Sequence, residues 1–408
     1  MSIIVQKFGG SSLATTQKIM NCAKKAVREA DAGHNVVVVV SAMQGETDRL
    51  LGLANEIDPA GSPRERDVLA AAGEQVTIAL MSMCVHTLGR PAVSFTGPQI
   101  DIRTDDGFTK AKIKSINDEK IRKAFAEGKI VVVAGFQGET DDEEITTLGR
   151  GGSDTSAVAL AAVLKADRCD IYTDVDGVYA ADPRIFPKAR KIESLSYEEM
   201  LEMASMGAKV LHTRSVQFAA KYNVPVQVLS SFEDKPGTMI TQEVKSMEDV
   251  VVSAITQNQK EAKVSLLGIS DKPGTAAAVF EFLSENNINV DMIVQGVGDN
   301  NVANISFTID KTDLPFIKKL EPKIRELITV NEIRYDDKIA KVSAIGVGMR
   351  SHAGVAARMF KAFADKNINI LMIGTSEIKT SCVINEDYTE LAVRALCEEF
   401  ELAKADEE

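Results

Sequence analysis

Residues 263–294 ("KVSLLGISDKPGTAAAVFEFLSENNINVDMIV") and residues 341–374 ("KVSAIGVGMRSHAGVAARMFKAFADKNINILMIG") are two copies of one pattern. They align at a shift of 78 over the first six residues and, after a two-residue insertion, at a shift of 80. Nine of the twenty positions from Gly274 to Ile293 are then identical to their counterparts. Each copy reads strand, glycine-containing loop, helix, "NIN" turn, strand. Two small βαββαβ modules are the economical reading. At 408 residues and roughly 150 per domain, the chain has room for one further domain ahead of them.

That first part alternates strand and helix signals. "NVVVVVSAM" (35–43) and "KIVVVAGF" (129–136) are continuous apolar runs of the kind buried on both faces of a parallel sheet. "RCDIYTDV" (168–175) and "VPVQVLSS" (224–231) read as further strands. Helical patterns run over Thr15–Ala32, Arg64–Leu88, Thr155–Lys165 and Lys209–Tyr222. This predicts an open, mainly parallel α/β sheet with helices on both faces, whose ligands sit beyond the carboxyl ends of the strands. The polar stretch 231–249 contains Pro236-Gly237 and marks a boundary, with one short strand inside it. The expected divisions are 1–232, a linker at 233–249, and modules at 250–335 and 336–408. The strand near 250–256 is assigned either to the first module or to the second.

A net charge of −12 argues against a general affinity for nucleic acid or an anionic membrane. No apolar run approaches the roughly 18 residues of a membrane span, and Ile3–Phe8 is too short for the apolar core of a secretion signal. Five scattered cysteines without metal spacing fit reduced thiols in a cytoplasmic protein. No two of the four histidines lie close in sequence, so a zinc site or histidine-based triad is not expected, and no protein side chain is assigned to a metal.

Three stretches carry candidate chemistry. In "VQKFGGSS", Lys7 stands at the end of a first strand, ahead of Gly9-Gly10; such a strand–glycine turn–helix start cradles phosphate when backbone N–H groups point at the anion. In "TTLGRGGSDT", Arg150 is flanked by glycines, which suits a carboxylate or phosphate; Ser153 or Asp154 also reads as a helix N-cap. In "IYTDVDGVYAADPR", Thr173-Asp174 ends a strand and two turns follow. The chain has neither GxxxxGK[ST] nor a protein-kinase HRD/DFG set, and no GxGxxG follows its first strand. Phosphoryl transfer, if present, uses another scaffold.

These stretches, with "VVVVSAM", "AAGE" (71–74), "SFTG" (94–97), "VAGFQG" (133–138) and "GAKVLH" (207–212), followed by the tandem repeat, strongly resemble the aspartate kinases of the monofunctional kind. The resemblance covers nearly the whole chain. It implies an amino acid kinase fold, a carbamate-kinase-like three-layer αβα sandwich, followed by two ferredoxin-like ACT domains. It implies transfer of phosphate from ATP, with Mg²⁺, to the side-chain carboxylate of L-aspartate, giving 4-phospho-L-aspartate on the route to lysine, threonine and methionine. Lys7 and Glu74 resemble the catalytic pair. Lys7, Phe8, Gly9, Gly10, Ser41, Asp154, Thr173, Asp174, Tyr179, Ala180, Ala181, Asp182, Pro183, Arg184 and Lys209 match ATP contacts. Gly45, Glu46, Thr47, Asp48, Arg49, Glu74, Arg150, Gly151, Gly152 and Ser153 match the aspartate site. Ala180 replaces an expected hydroxyl residue, and Ala353 an expected proline. The competing readings are another amino acid kinase, acting on glutamate, acetylglutamate or UMP, and a non-catalytic amino-acid sensor.

The resemblance also implies feedback control by lysine and threonine bound at the ACT domains. Asp271, Lys272, Pro273, Gly274, Thr275, Ala276, Asn289, Val290, Asp291 and Gln295 form the first candidate effector site, with Asp271 and Asp291 placed to receive an α-ammonium. In the second copy Met349 and Leu371 replace those carboxylates, and the candidates are Val355, Ala356, Asn369, Ile370, Ser376 and Glu377. The assembly expected is a homo-oligomer, or an α₂β₂ complex with a second chain started at Met247.

Overall fold

The computed structural model describes residues 1–207, 210–242, 251–298 and 301–404. Lys209 and Met247 lie outside the described residues. The chain divides into two compact units, residues 1–178 with 191–245, and residues 179–190 with 246–408.

The first unit opens with β1 (Ile3–Phe8), α1 (Thr16–Asp31), β2 (Asn35–Val40), α2 (Glu46–Ile57) and α3 (Pro63–Thr87). It continues through β3 (Ala92–Phe95), β4 (Arg103–Thr104), β5 (Ile113–Ser115), α4 (Glu119–Ala126), β6 (Ile130–Ala134), β7 (Gln137–Glu139), β8 (Ile145–Thr147), α5 (Gly152–Leu164) and β9 (Arg168–Thr173). After β10 (Val178–Tyr179) and β11 (Lys191–Ile192) come β12 (Ser194–Ser196), α6 (Tyr197–Ser205), α7 (Thr213–Tyr222), β13 (Val226–Ser230) and β14 (Thr238–Thr241). The main sheet has the order β12-β14-β13-β9-β1-β2-β6-β3. Its neighbouring strands are all parallel except β13 with β14.

Alternation along the strands sorts this sheet into two faces. Phe8, Val36, Val38, Val40, Ile130, Val132 and Ala134 pack with Ile19, Cys22 and Ala26 of α1 and Ile78, Met81 and Val85 of α3. Lys7, one residue before Phe8, therefore points to the other face, where α5 lies against β1, β2 and β9. The valines of β2 and the whole of β6 are buried, as strands covered on both faces must be. Among the described residues α3 is the one helix long and apolar enough to cross a membrane. It packs against α1, β3 and β6 and buries the carboxyl groups of Asp67 and Glu74. The expected helix Lys209–Tyr222 begins at Thr213, because the His212 side chain caps it by accepting from Arg214 N–H.

The second unit holds β15 (Ala254–Asn258), β16 (Glu261–Ser270), α8 (Thr275–Glu285), β17 (Val290–Val297), β18 (Val302–Asp310), α9 (Leu314–Leu327) and β19 (Glu332–Asp336). It ends with β20 (Ile339–Ile345), α10 (Val355–Asp365), β21 (Ile370–Thr375), β22 (Lys379–Asn385) and α11 (Thr389–Glu399). The first module is complete in itself, with sheet order β17-β18-β16-β19. The second is not a contiguous βαββαβ copy. Its order is β15-β20-β22-β21, so its fourth strand comes from ahead of the first module, which is inserted into it. Both "NIN" turns put their first asparagine, Asn287 or Asn367, in the left-handed region, which asparagine tolerates better than most residues.

Candidate active site

Lys7 sits mid-sheet, in register with Val39 of β2 and Ile171 of β9. Its ammonium lies 2.6 Å from Asp154 Oδ1, in the first turn of α5, and both side chains are 13% exposed. The backbone turns sharply here. A side chain at Gly9 would begin 3.3 Å from Lys7 Nζ, so glycine leaves room for a ligand group between backbone and cation. Phe8 contributes its side chain to the core, stacked on Tyr172 at 4.7 Å, and offers the site only backbone.

α5 starts without a side-chain cap. Its N-cap is Gly151, at φ +70, and a side chain there would run into the His212 ring at 2.3 Å. α2 likewise starts at Gly45, at φ +78, with no side-chain cap. Uncapped first turns present N–H groups and a positive dipole end to an anion. Neither Ser153 nor Asp154 is the cap: Ser153 is buried inside the first turn, and Asp154 is spent on Lys7.

Glu74 is 2% exposed. One oxygen accepts from Ala42 N–H at 2.9 Å, at the end of β2 and three residues before Gly45. The other has no hydrogen-bond partner among the described residues. Burial pushes this carboxyl up to about 7, against the bond from Ala42, which favours the ionised form. Ser41 N–H donates to Phe8 carbonyl at 3.1 Å, tying the β2 end to the β1 end. So Lys7, Gly9, Ser41, Glu74 and Asp154 are linked at the carboxyl ends of neighbouring parallel strands.

Arg150 is exposed, and its guanidinium has no partner among the described residues. Arg49 is held by Glu46, with Nη2 and Nε at 2.7 and 2.9 Å from its two oxygens. Thr173 donates to Asp174, which is exposed at the β9 end. The segment 179–190 belongs to the second unit. Within it Ala180 and Ala181 are buried, and Ala180 carbonyl accepts from Ile255 N–H of β15. Arg184 is paired with Asp182 at 2.6 Å. Ala42, Asp67, His212 and Arg214 were not singled out as site residues. For Asp67 the available signal was its place seven residues, two helical turns, before Glu74 on one helix.

Residues 2–230 match the amino acid kinase family, and residues 264–315 and 342–400 match the ACT domain. The aspartokinase of Pseudomonas aeruginosa is 54% identical over 404 residues, covering 98% of each chain. The chain belongs to the aspartate kinase family. The aspartokinase of Corynebacterium glutamicum is 46% identical over 412 residues, covering 100% of this chain and 98% of that one. Among solved structures, E. coli aspartokinase III in complex with aspartate and ADP is 26% identical, with a TM-score of 0.78 over 97% of this chain and 99% of that one. This aspartate kinase thus joins an amino acid kinase domain to ACT regulatory domains, as the sequence motifs implied.

Proposed function

We propose that this chain transfers the γ-phosphoryl group of ATP to the side-chain carboxylate of L-aspartate, giving 4-phospho-L-aspartate and ADP. The observation that carries the reading is the group of Lys7, Asp154 and half-satisfied Glu74 at the carboxyl end of β1 and its neighbours. The reaction brings two anions together, so the site must supply positive charge and hold the reactants in line. Lys7 supplies a cation at the phosphates, and the uncapped starts of α2 and α5 add N–H donors. The aspartate carboxylate is ionised at neutral pH and needs no general base. Glu74 therefore acts as an orienting group: its free oxygen suits the substrate α-ammonium, and Arg150 suits a substrate carboxylate.

Mg²⁺ bound with ATP would neutralise phosphate charge. No group of three or more metal-ligating side chains occurs among the described residues. Asp154, beside Lys7, is the carboxylate that would hold such an ion together with phosphates and waters.

Control by lysine, threonine or both is part of the same proposal. Asp271 has no side-chain partner among the described residues, and α8 starts at Gly274 without a side-chain cap. Asp291, the other carboxylate expected to receive an effector ammonium, is already held by Lys341 Nζ. Edge strand β17 exposes Ile293, Val294 and Val297, which supports self-association through the ACT domains. Mass spectrometry of untagged protein distinguishes a homo-oligomer from an assembly with a chain started at Met247. The cysteines are free, four of them buried, in keeping with a cytoplasmic enzyme.

The test is ADP release coupled to a detector, with aspartate, glutamate, acetylglutamate and UMP as acceptors. Aspartate alone should support turnover, and Lys7→Ala should lower kcat by about 10²–10³-fold with the fold intact. Preference for another acceptor would assign a different amino acid kinase activity. No aspartate-dependent turnover would favour a sensor.

A further inference from the structure

Arg150 is an exposed guanidinium on a loop of four residues between β8 and α5. A clamp of this kind is useful only if its backbone is held still, because a misplacement of an ångström costs binding and orientation. Two charged side chains grip the approach to it from opposite elements. Asp67 of α3, 1% exposed, accepts from Thr147 N–H and Thr109 N–H at 2.8 Å each and from Thr147 hydroxyl at 2.6 Å. Arg214 of α7 donates to Leu148 carbonyl at 2.8 Å and Ala111 carbonyl at 2.7 Å. Each therefore bridges the same two segments, 109–111 and 147–148. Those segments also bond directly, Ala111 N–H to Thr147 carbonyl at 2.9 Å.

We infer that Asp67 and Arg214 are positioning residues that fix the Arg150 loop and so set affinity for the amino acid substrate. The inference rests on the reading of Arg150 as the carboxylate clamp. Among the described residues Asp67 has no cation beside it, and its oxygens are bonded to Thr109 and Thr147. A buried carboxylate is costly unless well bonded, and charge-assisted bonds are roughly twice as strong as neutral ones. The arrangement thus uses two full charges, one on the N–H side and one on the C=O side, to stiffen a strand–helix junction. Asp67 and Glu74 also stand two turns apart on α3, so a single helix carries one proposed substrate contact and the support for another.

The experiment uses the full chain and four variants, Asp67→Asn, Arg214→Met, Thr147→Val and Arg150→Ala, with KM for aspartate and ATP, kcat and Tm measured for each. Asp67→Asn and Arg214→Met should raise aspartate KM about tenfold, with ATP KM within about twofold and kcat within about threefold. Thr147→Val, which removes one donor only, should raise it about threefold and serves if the buried variants fail to fold. In an Arg150→Ala background, Asp67→Asn or Thr147→Val should raise aspartate KM less than about twofold further, because both act through Arg150. A fall in Tm with aspartate KM unchanged, or fully additive effects, would overturn the assignment and leave a purely structural clamp. If Arg150→Ala itself leaves aspartate KM unchanged, the clamp reading of Arg150 falls and the inference with it.

Discussion

At the scale of single residues, the site depends on groups whose burial and partners conflict. Glu74 is the clearest case. Its ordinary carboxyl value is 4.5, and in the fold it titrates at about 7 because it is desolvated. Between those values the folded chain binds a proton that the unfolded chain has released, so stability falls as pH rises from about 4.5 to 7. Glu74→Gln keeps an acceptor for Ala42 N–H and removes the charge. Its stability relative to wild type should therefore grow across that window by an amount on the order of 3 kcal/mol, read from denaturant unfolding at pH 4.5 and 8. Function should move the other way. An ionised Glu74 pairs with an ammonium and a protonated one does not, so wild-type aspartate KM should fall as pH rises through about 7. In Glu74→Gln the KM should be high throughout and lose that pH dependence. An identical pH profile for the two enzymes would remove Glu74 from the aspartate site.

The elements explain what sequence made legible and what it did not. β2 and β6 were readable because a five-residue apolar run between turn signals has few other uses, and the repeat gave the ACT modules directly. The glycines before α5 are visible in the sequence as a loop, but not the reason for Gly151: the His212 ring approaches from 61 residues later in the chain. The Lys7–Asp154 pair is equally non-local, since parallel strands separate neighbours in space by whole helices. Sequence alone does not decide which module β15 joins, because the repeat begins only after it and no local pattern tells one sheet from another; in the fold it pairs with β20. Gly151→Ala tests the junction. A non-glycine residue at φ +70 costs about 1–2 kcal/mol, and the collision with His212 adds about 1–3. The variant should lose about 2–5 kcal/mol in denaturant unfolding and bind aspartate more weakly, and His212→Gly, which removes both the ring and the Cβ that lies 2.4 Å away, should recover the collision part only. Wild-type stability for Gly151→Ala would contradict the junction geometry.

Across the whole molecule, one chain carries a catalytic unit and a pair of ACT modules, and regulation is a coupling free energy between them. An effector inhibits only if it binds a low-activity arrangement better than an active one; a tenfold preference is about 1.4 kcal/mol. The two carboxylates of the first module are not equivalent candidates for its ammonium. Asp291 faces Lys341, which is 2% exposed and also lies 2.5 Å from Glu261 Oε1. Breaking such a buried group strands a charge and costs about 3–5 kcal/mol. Lys341→Met should therefore lower stability of the ACT modules by roughly that amount, with Glu261→Gln in the same chain restoring part of it. Asp271 has no side-chain partner among the described residues and lies three residues before Gly274, the uncapped start of α8. Asp271→Ala should thus leave stability and uninhibited kcat near wild type while shifting the inhibition curve for threonine, lysine or their mixture at least tenfold to higher concentration. The comparison is activity against each amino acid alone and both together, for wild type, Asp271→Ala and Asp291→Ala. If Asp291→Ala abolishes inhibition with its fold intact and Asp271→Ala does not, the ammonium site lies at the Lys341 pair instead, and the effector must displace that lysine to bind.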